Sequence, residues 1–357
     1  MKFILRLTLI SFIFLISIKN SFAQQYTLTD FYKVDSIADL GKPKDALLLI
    51  AKINKQAKLD GNTALLIKSI IYRMKFQSFL EENAFDKILT DLRKDVDVAK
   101  QPAKSILQSL LAETFWKFYQ QNQWKISQRT TIQGDIGGDI NTWSTRRLID
   151  ETAKNYIASL KDYELLKTIK IDFLDNILAG DKYNRTFRPT LYDLLANRAI
   201  DVFTNTQIDL TQQENEQIDF NNSIWFADRE IFLNTALPQS DSSSFYLKTI
   251  QIFKNLILLH SQNNNQDALA DVDFLRMKYV ARRNNQQQLF LDALSTLANR
   301  SIHTEIYAEI LYLQAELYKN SQILSTEPKQ NLIKAVEIAN QAIKAYPKSM
   351  GLTMLKI

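Results

Sequence analysis

The chain has 357 residues, no cysteine, two histidines and a formal net charge of +5, from 44 basic and 39 acidic side chains. Without cysteine it has no disulfide, no thiolate nucleophile, no zinc–thiolate site and no lipid attached at a signal-linked cysteine. With only His260 and His303, far apart in the chain, histidine-based metal chemistry and a Ser-His-Asp triad lack their parts.

The start MKFILRLTLISFIFLISIKNSFA carries Lys2 and Arg6, then the apolar run 7–18, then Ser21-Phe22-Ala23. A basic start, a short apolar core and small residues at −3 and −1 are the parts of a secretory signal, predicting cleavage after Ala23 and a mature chain from Gln24. The apolar core is about a dozen residues, short of the roughly 20 that a spanning helix needs. No second apolar span follows. The predicted destination is the periplasm or the extracellular space, with no membrane span after cleavage. Lys2, Arg6 and Lys19 account for three of the five net charges, leaving +2 on the mature chain. No run of Lys and Arg remains to form a nucleic-acid face.

Beyond residue 24, glycine and proline are sparse and helical periodicity recurs. Apolar stripes run through 43–58 and 63–80. In 101–124, Pro102 suits a first helical turn, and Ile106, Leu107, Leu110, Leu111, Phe115 and Phe118 share one face. Further stripes lie at 145–160, 190–204, 243–260, 265–281, 304–319 and 328–346. No stretch alternates at period two between turn dipeptides. The expected fold is all-α, a tetratricopeptide-like solenoid of helical hairpins following a cleaved signal peptide.

The repeat signal is strongest near the end, where Ala335, Ala342 and Pro347 have the spacing of a tetratricopeptide second helix, with Ala315 and Tyr318 on the first. Small residues let the two helices approach closely, and the proline stops the second. The linker is about eight residues too long for the roughly 34-residue unit. Weaker copies use Gly41, Ala46 and Ile53, and Ala268 with Leu275. The pattern breaks at 127–143, 180–189, 205–224 and 235–244. None is long enough to be an interdomain linker, so residues 24–357 are expected to form one helical domain with a soft division near 205–244.

The stretch RTTIQGDIGGDINTW, 129–143, holds Gly134, Gly137 and Gly138 beside Asp135 and Asp139. A phosphate cradle needs a following Lys and hydroxyl, and acids stand there instead. A calcium loop needs alternating oxygen ligands closed by a glutamate, and that order is missing. The stretch reads as a connection between helices, with Asn141 or Ser144 capping the next one.

Aromatic and cationic residues gather around this connection: Trp116, Tyr119, Trp124, Arg129, Trp143, Arg146 and Arg147. Trp, Tyr and Arg dominate interface hot spots, which makes this a candidate partner surface; large aromatics equally serve as packing anchors between helices. In RPTLYDLLANRAIDVF, 188–203, Asp193 lies in a first helical turn and complements the helix dipole, and Arg198 is placed to pair with a neighbouring helix. The acidic pairs Glu81-Glu82 and Asp271/Asp273 show no apolar setting that would raise one pKa, which argues against a glycosidase-like dyad. His260 and His303 read as helix-surface or interhelical residues. No catalytic, cofactor-binding or metal-binding set emerges, and the chain reads as a non-enzyme.

Four separated blocks, SLLAETFWKFYQQNQWKISQRT, DINTWSTRRL, RPTLYDLLANRAIDVF and QDALADVDFLRMKYV, resemble in that order the helical N-terminal region of the large alpha-2-macroglobulin family proteins of Bacteroidetes. The resemblance runs from about residue 26 to the end. It implies an exported protein in which macroglobulin β-sandwich domains follow the helical region, often with a Cys-Glu-Gln thioester, and a role in entrapping peptidases. No β-sandwich pattern or cysteine is present, so no thioester or bait residue carries over. The implied partners are downstream macroglobulin-type domains or a peptidase, and the chain is expected to be a fragment of a longer protein. The alternative is a stand-alone tetratricopeptide-like adaptor that binds a peptide or an envelope protein.

Overall fold

The computed structural model describes residues 25–82, 84–127, 139–178, 185–205, 219–237, 244–320 and 328–346. Among them the structure is all-α, apart from one antiparallel bridge between Lys170 and Thr190. Two compact units divide between Ala84 and Phe85.

The first unit contains α1 (Asp30–Asp39), α2 (Pro43–Asp60) and α3 (Thr63–Leu80). Pro43 sits in the first turn of α2, where its missing N–H is not needed, and Gly61 ends the helix at φ +66°. That left-handed conformation is one that glycine adopts without a Cβ penalty. Asn62 then caps α3 by accepting from the Leu65 N–H. Phe31, Val34, Ala46, Ile50, Ile53, Ala57, Leu65 and Phe76 make the core, so Ala46 and Ile53 of the weak repeat do face inward. Between α1 and α3 the Tyr72 hydroxyl donates to Asp35 at 3.0 Å. Burial, and then that hydrogen bond, push the Tyr72 phenol up to about 12.

The second unit begins within α4 (Ala84–Val98) and continues through α5 (Ala103–Ser127), α6 (Thr145–Ser159), α7 (Tyr163–Leu166) and α8 (Leu191–Phe203). It then runs through α9 (Arg229–Asn234), α10 (Phe245–Gln262), α11 (Gln266–Ala281), α12 (Gln287–Arg300), α13 (Ile306–Asn320) and α14 (Pro328–Ala345). Three 3-10 turns, Ile140–Thr142, Ile171–Leu174 and Ser223–Phe226, fill connections.

Helix α8 is the hub. It packs against α5, α6 and α10, and nearly every residue from Leu191 to Phe203 is buried. A helix buried over most of its surface is largely apolar, and here the charged residues are Asp193, Arg198 and Asp201, of which Asp201 is exposed. Beyond α8, α10 packs on α11, α11 on α12, α12 on α13 and α13 on α14, and α11 also reaches α13. Each fully buried Leu or Phe along these seams contributes about 1.5–3 kcal/mol.

The expected stripes at 43–58, 63–80, 145–160, 190–204, 243–260, 265–281, 304–319 and 328–346 each coincide with a helix. Helix α5 coincides with the stripe at 101–124, whereas α1, α4, α7, α9 and α12 lie outside the stripes. Gly134, Asp135, Gly137 and Gly138 lie outside the described residues, as does Pro347.

Candidate partner surface

Of the predicted surface residues, Trp116, Tyr119 and Trp124 lie on α5, Arg146 and Arg147 on α6, and Trp143 in the connection between them. The described part of that connection starts at Asp139, whose carboxylate accepts from the Asn141 N–H at 2.8 Å and tightens the 3-10 turn. Ser144 follows as the N-cap of α6, accepting from the Arg147 N–H at 3.3 Å. Trp143, between these caps, turns inward and is 2% exposed. Phe115 of α5 stacks on it at 5.5 Å, and the guanidinium carbons of Arg147 and Arg93 lie 3.9 and 5.4 Å from its ring centroid. Both guanidinium groups are half-buried, so each contact with the indole face is worth roughly 0.5–2 kcal/mol, and the pair helps to hold α4 and α6 on Trp143.

Trp116 and Tyr119 are buried with ring centroids 5.4 Å apart, and burial pushes the Tyr119 phenol up. Trp124 alone of these rings faces solvent, at 72% exposure. Arg146 is exposed and forms a loose pair with Asp150 at 3.7 Å. Arg129 lies outside the described residues. The structure thus brings together Trp143 with Arg147 and Trp116 with Tyr119, as interior packing. What this region offers a partner is Trp124 and Arg146.

A second set of polar groups lies where α8 begins. Thr190 and Asp193 form a capping box: Thr190 Oγ1 accepts from the Asp193 N–H at 3.2 Å, and Asp193 Oδ2 accepts from the Thr190 N–H at 2.9 Å. The other carboxylate oxygen, Oδ1, lies 2.7 Å from His260 Nε2 of α10. His260 Nδ1 is buried and has no hydrogen-bond partner among the described residues. Hydroxyl and imidazole therefore both face the carboxylate rather than each other, an arrangement that holds helices and does not activate a nucleophile. Of the two placements open to the histidines, His260 takes the interhelical one, whereas His303 is exposed.

Arg198 donates to Ser109 at 2.8 Å and to Glu113 at 2.6 Å, both on α5, which realises its expected pairing with a neighbouring helix. Burial alone would raise Glu113, but Arg198 and Lys117 outweigh it and hold the carboxyl below its ordinary value. On α11, Asp273 accepts from Arg276 at 2.8 Å and from Arg229 at 3.1 Å. Arg276 is fully buried and also donates to the carbonyls of Trp225 and Ala227, at 2.6 and 3.0 Å. It ties the 223–226 turn to α11.

Asp271 corrects one expectation. Its environment does raise its pKa: burial pushes the carboxyl up, although Arg188 at 3.2 Å pulls it down. Its partner Arg188 is 83 residues away in the chain, so no local pattern shows this setting. Across the same seam burial also raises Glu309, and it lowers Lys278.

Two clefts open nearby. One, of about 440 Å³, lies between the end of α11, the start of α12 and α13, with Phe290, Leu313 and Leu317 as apolar lining and Lys278, Arg282 and Asn285 as polar lining. The other, of about 560 Å³, is lined by Asp228, Arg229, Glu230 and Arg300 among others, and there the Arg300–Asp228 pair at 2.6 Å consumes opposite charges. A third feature is a surface. On α14, Asn331, Ala335, Ile338 and Ala342 are buried, whereas Leu332, Val336 and Ile343 are about half exposed. With Ala339 these three form a stripe spaced four, three and four residues apart, the pattern of a helix face that packs.

Among the described residues no group of three or more His, Cys, Asp or Glu is placed to hold a metal ion, and no helix is long and apolar enough to cross a membrane. No family model, curated protein or solved structure matches the chain.

Proposed function

We propose that this chain is a non-enzymatic, exported helical scaffold that works by protein–protein contact, corresponding to the N-terminal helical part of an alpha-2-macroglobulin-like endopeptidase inhibitor. The observation that carries this reading is the stripe Leu332, Val336, Ala339 and Ile343 on α14. An exposed apolar face with helical spacing gains about 25 cal/mol for each Å² it buries against a further polypeptide. In this reading that polypeptide is the downstream part of the same protein, and the Arg198–Glu113 and Arg276–Asp273 ion pairs help to hold the helices in fixed register.

The cleft between α11, α12 and α13 favours a second reading, a stand-alone adaptor that holds a peptide or an envelope protein. Coding DNA past Ile357 separates the two. Continuation into β-sandwich domains supports the scaffold; a stop codon directly after Ile357 leaves the adaptor.

A further inference from the structure

The cleft at the end of α11 combines an apolar floor with cations that lack ion-pair partners. Phe290, Leu313 and Leu317 supply the floor. Lys278 and Arg282 reach it from successive turns of α11, and neither has an acidic partner within 4 Å among the described residues. The Lys278 ammonium rests over the Phe274 ring, 4.6 Å from its centroid. Burial disfavours its charge, while Glu309 and Asp271 offset part of that cost from a distance. A partly desolvated cation gains more from an incoming anion than a fully hydrated one does.

The third wall is fixed in advance. The Asn284 side chain donates to the Phe220 carbonyl, and Gln286 Nε2 donates to the Asn221 carbonyl at 3.1 Å. These bonds tie the α11–α12 connection to the 219–222 turn, so little ordering remains to oppose binding. Among the described residues the lining contains no acidic side chain.

We propose that this cleft is a docking groove for an extended segment of a partner polypeptide that carries a carboxylate side chain beside apolar side chains. The carboxylate meets Lys278 and Arg282, and the apolar side chains cover Leu313, Leu317 and Phe290. Asn285, whose side chain has no hydrogen bond among the described residues, lies along the same wall to meet peptide backbone. The proposal rests on the protein-contact reading for the class of its occupant, but it uses none of the α14 residues.

The test is selection of phage-displayed random dodecapeptides on the purified chain, followed by fluorescence anisotropy of the enriched peptides. The expected result is enrichment of sequences that pair Asp or Glu with Leu, Ile or Phe. Their binding should weaken about tenfold in Arg282→Glu and in Lys278→Gln, and should weaken with added salt. Arg282 is exposed, and Lys278→Gln removes a charge whose burial is costly, so both variants are expected to fold; circular dichroism checks this. Absence of enrichment overturns the proposal. So does enrichment of purely apolar or basic peptides, or binding that both variants leave unchanged. A negative selection would not touch the scaffold reading, which stands or falls on the DNA past Ile357.

Discussion

Asp193 on α8 and His260 on α10 meet at 2.7 Å with both side chains 1% exposed, and the same carboxylate closes the capping box at Thr190. One side chain therefore starts the central helix and pins its neighbour. Asp193→Ala should lose the cap, worth about 1 kcal/mol, and strand a buried imidazole, at about 1–3 kcal/mol more. Urea denaturation should show a loss of roughly 2–4 kcal/mol, against about 1 kcal/mol for Thr190→Ala. Equal losses in the two variants would mean that the His260 contact contributes nothing.

Asp273 balances two guanidinium groups, one of them fully buried. Neutralising it in Asp273→Asn leaves Arg276 with a buried, uncompensated charge, which costs about 3–5 kcal/mol. The loss should appear as a lowered denaturation midpoint with an unchanged slope. A midpoint equal to the parent's would show that the carbonyls of Trp225 and Ala227 suffice to hold Arg276.

How much of this was legible in the sequence depends on how local the cause is. The stripes at 43–58, 63–80 and 145–160 became helices because a repeating apolar face is enough to set period and length. Ser144 and Asp193 were readable because caps and first-turn acids act within three or four residues; for Arg198 the sequence suggested an interhelical pair but could not name its distant partners Ser109 and Glu113. Helix α4 was readable but missed: Phe85, Ile88, Leu89, Leu92 and Val96 mark one face. Helix α12 carries the same signal in Phe290, Leu294 and Leu297. Trp143 illustrates the other kind. Its type and neighbours suited a contact surface, yet Phe115 and Arg93, from other helices, enclose it. Asp271 is similar, since its burial is set by the tertiary fold and its partner Arg188 is distant in sequence. The cleft at Lys278 needs three helices and a turn, and no local pattern announces it.

The four tryptophans should divide by environment. Trp124 is exposed, and Trp116, Trp143 and Trp225 are buried. Acrylamide should quench one accessible emission component, and Trp124→Phe should remove it while changing stability by less than about 0.5 kcal/mol. Trp143→Ala should cost about 3–5 kcal/mol. Quenching that survives Trp124→Phe would place another indole at the surface.

Glu309 gives a pH signature. Burial first, and then Asp271, raise its carboxyl above the unfolded value, against Lys278 and Arg188. The folded chain therefore keeps this proton to higher pH than the unfolded chain does, and stability falls as pH rises through that window. Glu309→Gln removes this loss. The variant should be more stable than the parent at neutral pH and equal to it below the ordinary carboxylate range, as read by thermal melts across pH. A variant less stable at neutral pH would show that the ionised Glu309 is a net stabiliser of Lys278.

The central claim, an exported helical scaffold belonging to a larger inhibitor-like protein, is tested most directly on the native polypeptide. An antibody raised against residues 25–346 would isolate it from the source cells, and mass spectrometry would read its N-terminus and length. The account predicts a chain that starts at Gln24 and extends well past Ile357. A polypeptide that retains Met1, or one that ends at Ile357, would contradict it.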